Sequence, residues 1–269
     1  MNQKLLLVGC GKMGSALLAG WLGHDIGNTD VLVIEPFDGK FLEEHFNVPV
    51  LDSLDKLNVE FRPNIIVFAV KPQAMDGIVP NYGRFVGSGT MFLSIAAGKP
   101  TSYFQRQLGD AAAIVRSMPN TPAAVGQGIT VAYRNDAVSE AQKLIATKLL
   151  RAVGEVGWVE DESLIDGVTA VSGSGPAYVF LMIECLAQAG VKVGLDPGLA
   201  EQLARATVAG SGELARQSTD SASVLRQNVT SPGGTTAAAL DVLMGKNGLQ
   251  ELMSQAVLAA EKRSRELSD

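Results

Sequence analysis

Asn228 to Leu240 reads NVTSPGGTTAAAL, and several residue types in it have more use in chemistry than in packing. Pro232 lacks an N–H and fixes φ, while Gly233 and Gly234 reach backbone angles that other residues avoid, so Ser231-Pro232-Gly233-Gly234 interrupts any helix. Thr235 and Thr236 then offer hydroxyls as a new helix begins over Ala237 to Leu243. Free N–H groups at a helix start, beside glycines that admit a ligand to the backbone, make a seat for a carboxylate. The same residues also suit a plain helix–helix turn with a threonine cap.

A second constellation lies at the other end of the chain. Leu5 to Val8 has strand length and runs into Gly9-Cys10-Gly11-Lys12-Met13-Gly14, then an apolar helix from Ser15 to Leu22. In a dinucleotide fold the first glycine of G-x-G-x-x-G makes the tight turn, the second lets a pyrophosphate reach the backbone, and the third lets the helix pack on the strand. Lys12 and Met13 stand between the second and third glycines and are candidate cofactor-binding residues with Gly9, Gly11 and Gly14. The motif gains weight from a second strand, Val31 to Ile34, ending in Glu35, about 20 residues beyond the last glycine. An acidic side chain there can hold both adenosine ribose hydroxyls, which favours NADH over NADPH. A glycine turn serving another ligand in a doubly wound sheet is the alternative.

These sites need a scaffold, and the first half supplies one by alternating strands with helical segments. Asn64 to Val70, NIIVFAV, reads as a strand with the continuous apolar run that burial on both faces requires, and is stopped by Lys71-Pro72. Met91 to Ile95 leads into Ala96-Ala97-Gly98, and Ala113 to Arg116 leads into Ser117-Met118-Pro119-Asn120-Thr121-Pro122. Ligands of open α/β sheets lie outside the carboxyl ends of the strands. Ala69, Lys71, Pro72, Ala96, Ala97 and Asn120 are therefore candidate cofactor-binding residues, although each stretch alone would pass for an ordinary strand-to-helix loop. Strands at Ile129 to Ala132 and near Glu155 to Val159, flanking a helix from about Val138 to Leu150, complete a dinucleotide-binding domain over residues 1–160.

Residues 161–269 read as helices only, with Asp161 or Ser163 as the opening cap. Between Ser163 and Gln188 the charged side chains are Asp166 and Glu184 alone, so the segment is apolar on nearly every face and must be covered all round. About 110 residues cannot cover it, which predicts that a second copy of the chain does. Pro176, within Gly173-Ser174-Gly175-Pro176, predicts a kink or break. Asp196-Pro197 predicts a capped helix start, with Leu199, Leu203, Ala206, Gly210 and Leu214 as one stripe closely approached at Ala206 and Gly210. A last amphipathic helix carries Leu249, Leu252, Met253, Ala256, Val257 and Ala260 and is closed by the charged segment Glu261 to Glu266.

Composition narrows the function classes. The 269 residues are 46% apolar and carry 22 basic against 28 acidic side chains, a net charge of −6 without a basic run, so nucleic acid is not an expected partner. No stretch approaches the roughly 18 apolar residues of a membrane span and no signal peptide is apparent, so a soluble cytoplasmic protein is expected. Cys10 and Cys185 are far apart, and His24 and His45 are the only histidines, so free thiols and no metal are expected.

Over essentially its whole length the chain resembles the pyrroline-5-carboxylate reductase family. The matching pieces are VGCGKMG, Ala69-Val70-Lys71-Pro72, SIAAG at Ser94 to Gly98, RSMPNTP at Arg116 to Pro122, SGSGPAY at Ser172 to Tyr178, and above all NVTSPGGTTAAAL. The resemblance implies a Rossmann-like α/β domain followed by an all-helical domain that interlocks two subunits, and often a ring of five dimers. It also implies NADH or NADPH as hydride donor to a cyclic imine in the last step of proline biosynthesis. The opening stretch becomes the substrate loop, its threonine hydroxyl facing the imine nitrogen. The chemistry agrees: the cofactor carries the hard step, so the protein mainly positions and polarises, and no nucleophile–base or metal constellation is needed. Ser231, Gly233, Gly234 and Thr235 can hold the carboxylate, with Thr236 as the catalytic residue at the nitrogen. Two rivals stand beside this reading. A 3-hydroxyacid-type dehydrogenase has a similar domain order but needs a lysine or histidine base on the first long helix of the second domain, and Ser163 to Gln188 contains neither. A non-catalytic nucleotide-binding regulator would leave the Ser-Pro-Gly-Gly-Thr-Thr loop a plain turn.

Overall fold

Leu5, Leu6 and Leu7 are fully buried, as a strand covered on both faces demands. The computed structural model that places them describes residues 4–23 and 30–268, so His24 lies outside the described residues. Among these the strands are β1 (Lys4–Val8), β2 (Asp30–Ile34), β3 (Val50–Leu51), β4 (Ile65–Phe68), β5 (Met91–Ser94), β6 (Ala113–Met118), β7 (Gly128–Arg134) and β8 (Gly154–Trp158). The α-helices interleaved with them are α1 (Lys12–Gly23), α2 (Gly39–Phe46), α3 (Met75–Ile78), α4 (Thr101–Leu108) and α5 (Glu140–Arg151). After β8 come α6 (Leu164–Val168), α7 (Gly175–Lys192), α8 (Pro197–Gln217), α9 (Ala222–Asn228), α10 (Thr235–Leu243) and α11 (Leu249–Ser268).

The strands form one sheet in the order β3-β2-β1-β4-β5-β6-β7-β8. All neighbours are parallel except β6 and β7, where Arg116 pairs with Tyr133 in an antiparallel ladder. The link from Met118 to Gly128 holds only a 3₁₀ turn at Thr121–Val125, too short for the crossover that a parallel pair needs. Side chains alternate between two cores, with Leu5, Leu7, Ile65, Val67, Met91 and Leu93 in one. Leu6, Val8, Ile66, Phe68 and Phe92 fill the other. The continuous apolar runs thus split by parity, one half under each layer of helices.

Compact packing divides the chain into a first unit, Met1–Gly173 with Glu261–Asp269, and a second, Ser174–Ala260. This division falls 13 residues beyond the boundary expected at 160/161, since Gly173 is the last residue of the first stretch. The reason is burial: Ile165 and Ala170 are fully inside, so α6 and the wide π-helical turn at Thr169–Gly173 complete the first unit. Glu261 to Glu266 was expected to close the last helix, but α11 runs through that segment to Ser268, and Ser264 is buried against Asp166.

Within the second unit, Asp196 caps α8 as expected, its Oδ1 accepting from Gly198 N at 2.9 Å and Leu199 N at 3.2 Å. Pro176 sits in the first turn of α7, just after the bend at Ser174, where its missing N–H costs nothing. Within the single chain the close helix approach is at Gly190, where a Cβ would lie 3.1 Å from Ala200 Cβ, whereas one on Gly210 would meet nothing of the same chain within 4 Å. Small residues on both sides, Gly190 against Ala200 and the buried Ala204, let α7 and α8 touch there. Phe180 and Leu181 of α7 stay 57% exposed in the single chain, and Leu199, Leu203 and Leu214 of α8 are uncovered too. Contrary to the sequence expectation, Leu164–Lys192 is a 29-residue helical segment long and apolar enough, by length and composition alone, to cross a membrane.

Candidate functional sites

The glycine loop behaves as its three glycines require. Gly9 has φ +85°, and a Cβ on it would lie 2.6 Å from Val70 Cγ1, so only glycine makes this turn between β1 and α1. Gly14 is in close contact in the same way, because a Cβ there would lie 2.7 Å from Gly9 O and 3.3 Å from Ala69 Cβ. Gly11 differs from both. A Cβ there would meet nothing within 4 Å, so the glycine leaves open space above the exposed start of α1. The first-turn N–H groups of Lys12, Met13 and Gly14 receive no partner from the helix itself, and together with that space they fit a pyrophosphate.

Glu35 follows β2 and turns toward this loop. Its Oε2 accepts from Cys10 N at 2.9 Å and its Oε1 from Phe37 N at 3.2 Å. Lys40, the nearest cation in sequence, leans instead to Glu44 at 3.8 Å, so it does not draw Glu35 away. Cys10 is buried with its thiol 3.5 Å from Ser15 Oγ; burial pushes the thiol pKa up, against the lowering effect of that contact.

The remaining cofactor candidates stand at strand ends. Ala69 N donates to Val8 O at 2.8 Å as the chain leaves β4, and exposed Lys71 precedes Pro72, the first residue of a 3₁₀ turn. Beyond β5, Ala96 is buried with its N–H donating to Ser94 Oγ at 3.2 Å, while Ala97 is exposed. Asn120, beyond β6, accepts from Ile129 N at 3.0 Å through its side-chain oxygen, which fixes the turn into β7. Ser117 Oγ donates to Ser94 O at 2.9 Å and joins the ends of β5 and β6. The first unit therefore brings the glycine loop and Glu35 together by direct bonds and ties the β5 and β6 ends to each other.

One feature of this unit escaped the sequence reading. Arg116, in β6, is only 3% exposed, and its Nη1 donates to Glu162 Oε1 at 3.2 Å. Its Nη2 stands 4.0 Å from Asp166 Oδ1, which accepts from Ser264 Oγ at 2.6 Å. The signal in the sequence was an arginine within the strand run Ala113 to Met118, AIVRSM, together with an aspartate on an otherwise apolar helical segment.

The second unit holds the loop that opened the sequence analysis. Gly234 N donates to Ser231 O at 3.1 Å, closing a turn with Pro232 second and Gly233 third at φ +69°, as a type II turn requires. A Cβ on Gly234 would lie 2.4 Å from Ser231 Oγ, so a larger residue here would push that hydroxyl aside. α10 then starts at Thr235 with Gly234 as its N-cap and no side-chain cap bond. The threonine-cap reading is thereby corrected: neither Thr235 nor Thr236 caps the helix. Thr235 is exposed and Thr236 half-buried, and the first-turn N–H groups of Thr235, Thr236 and Ala237 point out of the helix start without intrahelical partners.

Comparison with known proteins fits these two units. A family model described as pyrroline-5-carboxylate reductase dimerisation matches residues 162–267, and one described as NADP oxidoreductase, coenzyme F420-dependent, matches residues 4–98. The pyrroline-5-carboxylate reductase of Pseudomonas aeruginosa is 36% identical over 270 residues, covering 100% of this chain and 98% of its own. Among solved structures, a pyrroline-5-carboxylate reductase from Coxiella burnetii superposes with a TM-score of 0.92 at 34% identity, covering 100% of both chains. A pyrroline carboxylate reductase from Plasmodium falciparum with NADP bound gives a TM-score of 0.83 at 32% identity, covering 100% of this chain and 99% of its own. With a Rossmann-like unit, a dimerisation domain and this similarity over its full length, the chain belongs to the pyrroline-5-carboxylate reductase family.

Proposed function

We propose that this protein reduces the C=N bond of 1-pyrroline-5-carboxylate to give L-proline, the last step of proline biosynthesis, as a soluble cytoplasmic enzyme. The observation that carries the reading is the Ser231–Thr236 turn, which presents two glycines, uncapped first-turn N–H groups and threonine hydroxyls that the helix does not use. Bound NADH or NADPH supplies the hydride that the imine carbon receives. The chain's own work is to hold the substrate and polarise it. The backbone at Gly233 and Gly234, the first-turn N–H of Thr235 and the Ser231 hydroxyl seat the carboxylate, and Thr236 hydrogen-bonds the ring nitrogen. A threonine hydroxyl is too weak an acid to be the sole proton source, so water or an imine already protonated in solution shares that role.

Consumption of NADH on addition of pyrroline-5-carboxylate tests this directly. Turnover confined to hydroxy acids or keto acids would overturn it in favour of a dehydrogenase. On the cofactor side, Gly9, Gly11, Lys12, Met13 and Gly14 take the pyrophosphate and Glu35 the adenosine ribose, with NADH preferred. Ala69, Lys71, Pro72, Ala96, Ala97 and Asn120 line the path toward the nicotinamide.

The dimer is obligate in this reading, and five dimers closing into a ring is the assembly we expect. Support comes from the uncovered apolar faces of α7 and α8, where Phe180, Leu181, Leu199, Leu203 and Leu214 are exposed in the single chain. Burying such side chains contributes about 25 cal/mol per Å² of apolar surface, which favours a second copy over water. Sedimentation of the full-length protein at micromolar concentration should therefore show no folded monomer; a stable one would rule out the obligate dimer.

A further inference from the structure

We infer that Glu162, acting with Arg116, is a positioning residue for the cofactor, because one carboxylate fastens the end of the loop that follows β5 to Arg116 near the end of β6. This rests on the proposed seating of the nicotinamide end at Ala96, Ala97 and Asn120.

The first loop ends at Pro100, which precedes α4 and has no side chain able to cap it. Glu162 supplies the cap from 61 residues away: Oε1 accepts from Thr101 N at 2.7 Å and Oε2 from Thr101 Oγ1 at 2.6 Å. The same Oε1 takes Arg116 Nη1, and Arg116 directly precedes Ser117, the residue that bonds back to Ser94 O. The β5 end is thus pinned at Ser94 and again at Thr101, both times to β6 or to a group that β6 holds. Gly98, between the pins, has φ +68° and lies so close to the end of α11 that a Cβ would stand 2.7 Å from Leu267 O. Five residues separate Ser94 from Pro100, and Ala96 and Ala97 are among them.

Stability alone does not explain this design. A buried ion pair recovers its desolvation cost only when its remaining donors are satisfied, and hydrophobic replacements of such pairs are often neutral or better. Here Arg116 Nε and Nη2 are buried without a hydrogen-bond partner. What the arrangement gains is fixed geometry, a guanidinium held between the two carboxylates of Glu162 and Asp166. Misplacing a bound reactant by about 1 Å can cost on the order of a hundredfold, so loops held this tightly matter to binding and turnover.

The test uses the full-length protein with Glu162→Gln, Arg116→Lys and Arg116→Met. Glutamine keeps the shape and one acceptor oxygen but loses the charge that Arg116 reads. Four quantities are measured: Kd for NADH by fluorescence without imine, KM for cofactor and for imine, kcat, and Tm. In Glu162→Gln, Kd and KM for NADH should rise roughly tenfold with the imine KM unmoved. Arg116→Met should be worse, and Arg116→Lys, which keeps a donor toward Glu162, should fall between. Variants that melt earlier yet bind NADH with the wild-type Kd would reduce the network to a structural brace and overturn the inference. Should Arg116→Met fail to fold, Glu162→Gln decides by itself. Since binding is read without imine, a wild type that binds NADH but leaves pyrroline-5-carboxylate untouched would sink the reductase reading and not this one.

Discussion

Thr236→Ala is expected to fold, bind NADH as the wild type does and lose imine reduction by a factor of roughly ten to a thousand, the range found when one donor to transition-state charge is removed. The side chain is half-buried at the start of α10, and its hydroxyl makes no cap bond there. Truncation therefore leaves no buried partner unsatisfied, and Tm should move little. Had Thr236 been the cap, its loss would have cost about 1 kcal/mol of stability, and melting would have dropped with activity. The two outcomes separate cleanly in a thermal melt run beside a steady-state assay. Unchanged turnover would remove Thr236 from the reaction and leave the carboxylate seat as the loop's only task. A serine in its place, which restores the hydroxyl without the methyl group, should recover most of the rate.

Local chemistry made much of this molecule legible before any coordinates. Gly9 and Gly14 could be read because a positive φ and a close approach leave glycine no substitute, and both constraints lie within one turn of chain. Ser231 to Gly234 was readable for the same reason, as was the cap at Asp196. What sequence hid was long-range. Glu162 caps a helix 61 positions earlier, and nothing in its own neighbourhood announces that. The last turns of α11 look like a solvated charged end, with Arg263 and Glu266 paired on the surface, yet Ser264 between them reaches buried Asp166 across 98 positions. β3 escaped because two residues, Val50 and Leu51, are too few to show a period. The reversal at β7 follows from link length more than from the composition of the strand, so apolar runs alone could not reveal it. The uncovered stripe on α8 points the same way: a pattern that looks amphipathic in one chain names its partner only when the second copy is counted.

The other large effect should appear in cofactor choice: wild type favours NADH in kcat/KM, and Glu35→Ser shifts the ratio toward NADPH by about tenfold. Glu35 stands directly after β2 with its carboxylate turned to the glycine loop, one oxygen on Cys10 N and the other on Phe37 N. Lys40 pairs with Glu44 and offers it no compensation. A 2′-phosphate placed beside that carboxylate brings about −1.5 to −2 charges. Two unit charges roughly 4 Å apart repel by about 4 kcal/mol at an effective dielectric near 20, and solvent exposure reduces this to about a third. The remainder is close to the 1.4 kcal/mol that makes one decade in specificity. A relative, the Plasmodium falciparum pyrroline carboxylate reductase, was solved with NADP bound, so a preference for NADH in this chain would have to come from side chains such as Glu35. Glu35→Ser also removes the acceptor for Cys10 N, which leaves a backbone donor of the loop to water or to the incoming phosphate. Efficiency with NADH should therefore fall while efficiency with NADPH holds or rises, and Glu35→Gln, which keeps an acceptor for Cys10 N without the charge, should shift the ratio with less loss for NADH. Kinetics with both cofactors in the three proteins decide it. A wild type that prefers NADPH, or a ratio unmoved in Glu35→Ser, would mean that Glu35 shapes the loop and does not read the ribose.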